Sequence, residues 1–385
     1  MMKSSKVIYT QEKGKISVLQ LMFLNITQVL STADVFLPAF VAKEAQQDSW
    51  LSVIIAAAAA IILLNITHFL GAKYPDKTFI QYTVDILGKP IGIAIALLYI
   101  YYFIFYAAAI TKELEELFVI SFNPQSPLII YGITVVLVVA YAVSKGIEPI
   151  ARVNEIMLPI GMFVLFFITI INIPNIDLKY FRPTLYNGIY PPLKGAFQAL
   201  TWFLKTFVLL QFLPFVKNKE RNKLRKSLTL SLLILCISLE TGVLTIAVFG
   251  PITENLLFPA LQYVRLASLG TYIENLEISI MLVWVGGIFV NIAIYYYAAV
   301  LGLAQLFNFE SYKPLIIPIG ILIIVLSITG SDTLLTFVLF LQYTLPFYTL
   351  VMGFLIPLLL LIISLFKDWH KKRSSLKNNR AGCAE

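Results

Sequence analysis

Long apolar runs separated by short polar breaks dominate the chain. Ten are read as membrane spans, at about 16–42, 50–71, 90–118, 127–143, 148–172, 193–215, 227–250, 275–305, 314–330 and 334–366. Several exceed the roughly 18 residues that a helix needs to cross a bilayer core. Two connecting segments carry their own pattern. "AKYPDKTFIQYTVDILGKP", between the second and third spans, predicts a short helix lying on the membrane surface. "PITENLLFPALQYVRLASLGTYIENLE", between the seventh and eighth, places Leu256, Leu257, Leu261 and Val264 at helical spacing. It predicts a re-entrant or surface helix on the outer side, either a lid or an interfacial helix without a gating role.

Composition supports an integral membrane protein. Of 385 residues 59% are hydrophobic and only 13% charged, and the mean hydropathy is +0.85. A soluble domain of this size carries far more charge. The fold class expected is all-α, a single transmembrane domain over 1–385. No short apolar core is followed by a small-residue cleavage site, so no removable leader is expected. The "NIT" triplets at Asn25 and Asn65 lie inside predicted spans and are chance matches to the glycosylation pattern.

Charge sets the orientation. Of the 29 Lys and Arg residues, 22 fall on the side of the N-terminus, six on the other, and Lys205 lies inside a span. Cytoplasmic loops carry such an excess, so both termini are expected in the cytoplasm. The net charge of +8 is then a topology signal and implies no nucleic-acid partner. The tail 367–385, with "KDWHKKRSSLKNNR", reads as a solvated end facing the bilayer.

Ten spans divide into five over 16–172 and five over 193–366, the second set the opposite way up. Inverted repeats with interrupted first helices place a binding site at mid-membrane between the two breaks. In the first span "LSTADVFLP" puts Ser31, Thr32, Ala33 and Asp34 ahead of Pro38, and predicts such a break. In the sixth, Gly195, Trp202, Lys205, Thr206 and Pro214 predict the matching one. Asp34 and Lys205 occupy equivalent depths. A charge at the bilayer centre costs about 2.5–3.5 kcal/mol on insertion scales, so each should face a partner or a cavity. They could hold the two ends of a zwitterion, or pair with each other as a purely structural bridge. Glu240, in "CISLETGVLT", is either a proton-coupling group, as Asp34 and Lys205 could also be, or is hydrogen-bonded to Ser238 or Thr241. Tyr102 and Asn291 are the deeper polar members of "YIYYFIFY" and "VNIAIYYY". An Arg152–Glu155 pair is expected at the inner edge of the fifth span, and "KELEELF", from Lys112 to Phe118, reads as a solvated helix end.

No motif for covalent chemistry is present: no phosphate-cradling glycine loop, zinc-protease helix or serine elbow. Two cysteines and two histidines, widely spaced, predict no disulfide framework, metal or cofactor. The reading is of a protein that is not an enzyme.

"AKEAQQDSWLS", "ILGKPIGIAIALLY", "GIEPIARVNEIMLP", "DLKYFRPTL" and "FLPFVKNK" occur in an order that resembles the endospore germination permease family, the B subunits of spore germinant receptors. The likeness runs from about residue 14 to 366. It implies membership of the amino acid–polyamine–organocation superfamily and a fold like that of the leucine transporter. It also implies the inner spore membrane, an A subunit and a lipoprotein C subunit as partners, and a nutrient such as an amino acid as ligand. The implied site lies between helices 1, 3, 6 and 8: Ser31, Thr32, Ala33, Asp34, Tyr102, Trp202, Lys205, Thr206 and Asn291. The chain departs from the family where glycines often break the first span, and where Thr206 and Val208 replace a glycine and a glutamate. The alternatives are a proton-coupled amino-acid or amine transporter, and a membrane scaffold with an unused pocket.

Overall fold

The computed structural model describes residues 14–121, 125–267 and 276–381. Lys3, Lys6, Lys13 and the part of the amphipathic connector at 268–275 lie outside them. Regular structure among the described residues is helical, apart from one parallel bridge between Ile16 and Val216. Six helical stretches are long and apolar enough to cross a membrane: Val18–Lys73, Lys89–Ser121, Ile147–Ile171, Lys219–Asn255, Glu277–Leu306 and Leu334–His370. Two apolar helices, Leu128–Ser144 and Lys313–Thr329, are shorter.

Within these, α1 is Val18–Ala45, α2 Ser49–Lys73, α3 Phe79–Leu87, α4 Lys89–Ser121, α5 Leu128–Ser144 and α6 Ile147–Ile171. They are followed by α7 Tyr190–Leu204, α8 Leu224–Phe249, α9 Pro259–Leu266, α10 Leu276–Leu306 and α11 Ile316–Thr329. The last stretch runs through α12 Leu334–Leu339, α13 Leu345–Leu350 and α14 Ile356–Ala381, joined by π-helical turns at Phe340–Thr344 and Val351–Leu355. It carries helix into the basic tail as far as Ala381.

α1 is the central post, packed against α6, α7, α8 and α10. Its start is heavily secured. Ser17 and Gln20 form a capping box, and Val18 N donates to Glu220 Oε2 at 2.8 Å. Ile16 exchanges backbone hydrogen bonds with Phe215 and Lys217, and Lys15 Nζ donates to the Pro214 carbonyl at 3.0 Å. The chain therefore enters α1 beside the exit of the α7 segment, and the two run antiparallel.

The expected break in α1 is absent: it is α-helical from Val18 to Ala45, with Pro38 inside. Proline still removes the α-helical donor to the Asp34 carbonyl. The helix tolerates this because it is encased in other helices, and Gly242 of α8 gives Pro38 room. A Cβ on Gly242 would stand 3.4 Å from Pro38 Cγ. The sixth span does change form. α7 ends at Leu204, and Lys205–Gln211 and Leu213–Phe215 are 3-10 helix. Pro214 lacks a donor, and Thr206 and Val208 are poor helix formers, so the tighter bonding prevails.

Other expectations change as well. α3 lays its apolar face on protein: Phe79, Ile80, Tyr82 and Ile86 are buried, and it packs on α4, α10 and α14, with Asp85 exposed on its other side. Arg152 pairs with Glu148 at 2.6 Å rather than with Glu155, which accepts from Gln20 Nε2 at 2.9 Å. "KELEELF" is not solvated. Lys112, Glu113, Glu115 and Glu116 are all buried. Lys112 and Glu116 form a 3.0 Å ion pair one turn apart, and Glu115 Oε1 accepts from Ser327 at 2.9 Å. α5 and α11 cover this end of α4 and shut out water.

Candidate functional site

The predicted site residues fall on two faces of α1. On one, the Lys205 ammonium, 2% exposed, donates to Thr32 Oγ1 at 2.7 Å. It stands 5.2 Å from the Tyr106 ring centroid and 6.0 Å from that of Trp202. Ammonium groups are attracted to aromatic faces, most strongly when desolvated. Tyr106 stacks on Tyr295 of α10 at 4.9 Å and contacts Tyr102 at 5.0 Å. Tyr102 in turn meets Phe207 and Tyr348. The result is an aromatic cluster where α1, α4, α7 and α10 converge.

Glu113 supplies the opposite charge. Its carboxylate is 5% exposed, Oε1 has no hydrogen-bond partner, and it is the acid to which Lys205 couples electrostatically. The two are farther apart than the 4.0 Å of an ion pair. The Tyr295 hydroxyl also lacks a partner. Tyr102, Tyr106 and Glu113 follow at intervals of four and seven residues, which places them on one stripe of α4. That spacing was available in the sequence. The signal was masked because Glu113 sits in a run of charges that reads as solvated.

The switch from α-helix to 3-10 helix falls at Lys205, and the second π turn packs beside it. A Cβ on Gly353 would lie 3.1 Å from the Leu204 carbonyl. A π turn leaves carbonyls without their usual donors. Here Met352 O accepts from Tyr99 OH at 2.6 Å. Irregular backbone is thus satisfied from α4, the helix that also carries the aromatic wall.

Asp34, Ser31 and Asn291 belong to the other face. Residues two apart on an α-helix point about 200° from each other. Because α1 is continuous, Thr32 and Asp34 face opposite ways, and Asp34 and Lys205 make no ion pair. Asn291 Nδ2 donates to Gln28 O at 2.9 Å and Ser31 Oγ at 3.1 Å. Thr27 donates to Asn154 at 2.7 Å, and Asn25 to Ser231 at 2.8 Å. These bonds tie α1 to α6, α8 and α10.

Ala33 is buried in the core. Thr206 turns toward α2 and α8, beside Thr67 and Leu232, away from the Lys205 ammonium. Glu240 is half-buried on α8 and bonds neither neighbour: Ser238 donates to the Ile234 carbonyl and Thr241 to that of Ser238. Among the described residues no group of three His, Cys, Asp or Glu side chains could hold a metal ion.

A family profile described as "Spore germination protein" matches residues 15–334. Spore germination protein YndE of Bacillus subtilis (strain 168) is 27% identical over 367 residues, covering 93% of this chain and 98% of that one. Spore germination protein KB of the same organism is 28% identical over 371 residues, covering 94% and 98%. Among solved structures, MhsT in complex with L-phenylalanine aligns with a TM-score of 0.68 at 13% identity, over 93% of this chain and 91% of that one. Mhp1, a nucleobase-cation-symport-1 family transporter, aligns with a TM-score of 0.62 at 14% identity, over 91% and 80%. The chain has the transporter fold of these two proteins.

Proposed function

This chain belongs to the spore germination protein family, and from that membership we propose that it is the nutrient-sensing membrane subunit of a germinant receptor. Its ligand on this reading is an α-amino acid, held at the aromatic cluster between α1, α4, α7 and α10. One observation carries the proposal: a buried ammonium, Lys205, and a buried carboxyl group, Glu113, lie beside the same aromatic cluster without forming an ion pair. A zwitterion matches both. Its carboxylate takes the donors of Lys205 left over from Thr32, and its ammonium takes Glu113 Oε1. Its side chain lies against Tyr102, Tyr106, Trp202 and Tyr295. Binding that differs between two conformations of the cluster would bias their equilibrium, which is what sensing requires.

The wider architecture follows from the same reading. The chain makes ten passes, five over 16–172 and five over 193–366, in opposite orientations. The antiparallel meeting of α1 with the α7 segment supports that arrangement. Both termini face the cytoplasm, the membrane is the inner membrane of the spore, and an A subunit and a lipoprotein C subunit complete the receptor. A second reading, proton-coupled uptake of an amino acid or amine, draws support from the transporter fold. Uptake by reconstituted vesicles holding this chain alone would favour it.

The test is thermal stabilisation of the purified protein by a panel of L-amino acids, with the matching amines and carboxylic acids as controls. A ligand at a hundred times its Kd stabilises the folded state by about 2.7 kcal/mol. At least one zwitterion should do so, and Lys205→Met and Glu113→Gln should each abolish the shift. A shift that survives both substitutions places the ligand elsewhere.

A further inference from the structure

The face of α1 that carries Asp34 borders a cavity of about 330 Å³ between α1, α6 and α10. That volume falls within the range of small-molecule sites. Its walls are apolar, built from residues such as Leu30, Met157, Leu158, Val164 and Ile280. Among the described residues no lysine or arginine lines it. The one ionisable group among them is Asp34, 4% exposed, whose Oδ1 has no hydrogen-bond partner and lies toward Gly242 of α8. Trp284 presents its indole beside that carboxyl. Of the neighbouring polar groups, Thr27 donates to Asn154 Oδ1 and Ser31 accepts from Asn291, whereas Asn154 Nδ2 has no partner. Lys205, a buried cation, lies across α1 and donates to Thr32.

The mouth faces lipid. Ile160 and Leu282 line the cavity, yet are 56% and 67% exposed. Ile156 and Phe163 continue this exposed apolar surface on α6. A visitor therefore arrives from the hydrocarbon. It needs an apolar body for the walls and a positive, hydrogen-bonding head for the carboxylate. Donors at the floor are the Trp284 indole and the Asn154 amide, and the carboxylate is the one charged group a visitor meets among the described residues. The Asp34 backbone carbonyl, stripped of its α-helical donor by Pro38, adds a second acceptor near the same point.

We propose that this cavity is a second ligand site, for a lipophilic monoamine that enters from the bilayer and docks its protonated nitrogen on Asp34. It is separate from the amino-acid site, because α1 stands between them. Occupancy would wedge α6 and α10 against α1, the helix that also carries Thr32. The cavity is therefore placed to modulate the amino-acid site without touching its ligand.

The experiment uses the full-length chain in lipid nanodiscs, with 8-bromooctylamine as probe and 8-bromooctanol as the neutral match. The readout is bromine quenching of the Trp284 component of fluorescence, isolated by subtracting the Trp284→Phe protein. The amine should quench saturably at a concentration at least about tenfold below that of the alcohol, the order expected of a charge-assisted bond in a buried site. Asp34→Asn should erase that advantage and leave the alcohol curve unchanged. The double variant Ile160→Phe/Leu282→Phe alters only lipid-facing positions at the mouth and should weaken both probes. Lys205→Met, which disables the amino-acid site, should leave amine quenching intact, so the two proposals fail independently. Equal quenching by amine and alcohol in the wild type would overturn the proposal. So would an amine advantage that persists in Asp34→Asn, or quenching indifferent to the narrowed mouth.

Discussion

Lys205 should be energetically coupled to Thr32 rather than to Asp34. The perturbation is a pair of double-mutant cycles, Thr32→Val with Lys205→Met and Asp34→Asn with Lys205→Met. Interhelical hydrogen bonds between neutral groups in membrane proteins average about 0.6 kcal/mol. The 2.7 Å bond from Lys205 carries a full charge, which raises the expectation to about 1.5–3 kcal/mol. For Asp34 the alternatives separate clearly. Two unit charges in contact at about 4 Å, with an effective dielectric of about 20, attract by about 4 kcal/mol. Across the roughly 10 Å width of an intervening helix the attraction falls below about 2 kcal/mol. Equilibrium unfolding in mixed micelles titrated with SDS gives the four stabilities of each cycle. A coupling near 4 kcal/mol for Asp34–Lys205, with none for Thr32–Lys205, would refute the reasoning. It would mean that α1 breaks after all and turns both residues to one side.

Gly132→Ala should destabilise by about 1–3 kcal/mol in the same assay, because a Cβ there runs into the Glu115 carboxylate that Ser327 holds in place. Glu115→Ala in the same chain should restore part of the loss. Tyr99→Phe should cost about 1–3 kcal/mol, the penalty of an orphaned buried carbonyl, since Met352 O then loses its donor beside the second π turn. Asp368→Asn should change stability by less than about 1 kcal/mol and lose its effect in high salt, as the 2.7 Å bridge to Lys73 has a largely exposed partner.

Hydrophobic length made the spans legible. The runs near 90–118, 148–172 and 227–250 correspond closely to α4, α6 and α8. What the pattern could not carry was burial by tertiary neighbours. Phe79, Tyr82 and Ile86 form an amphipathic stripe that fits a membrane surface or a protein groove equally well. Only the position of α4 and α10 decides for the groove. The charges after Lys112 pose the same difficulty in reverse. Four ionisable residues at a helix end suggest water, unless a later hairpin covers them. Here α11, far along the chain, does so together with α5.

The misreading of Asp34 has a simpler origin. Small and polar residues before a proline are a sound reason to expect an unwound segment, and an unwound segment lets neighbours in sequence point to one place. Helical continuity forbids it. Once α1 holds its 3.6-residue period through Pro38, Thr32 and Asp34 are committed to opposite sides. One polar cluster in the sequence is divided between two faces of α1 in the structure. Glu113 is then the buried acid coupled by charge to Lys205, and it comes from α4, where its helical alignment with Tyr102 and Tyr106 was already written. Asp34 is left with an unspent oxygen over an apolar cavity whose mouth opens to lipid. A carboxylate kept there at a cost of some kilocalories requires a purpose other than Lys205, and a cation drawn from the bilayer is the partner that its surroundings admit.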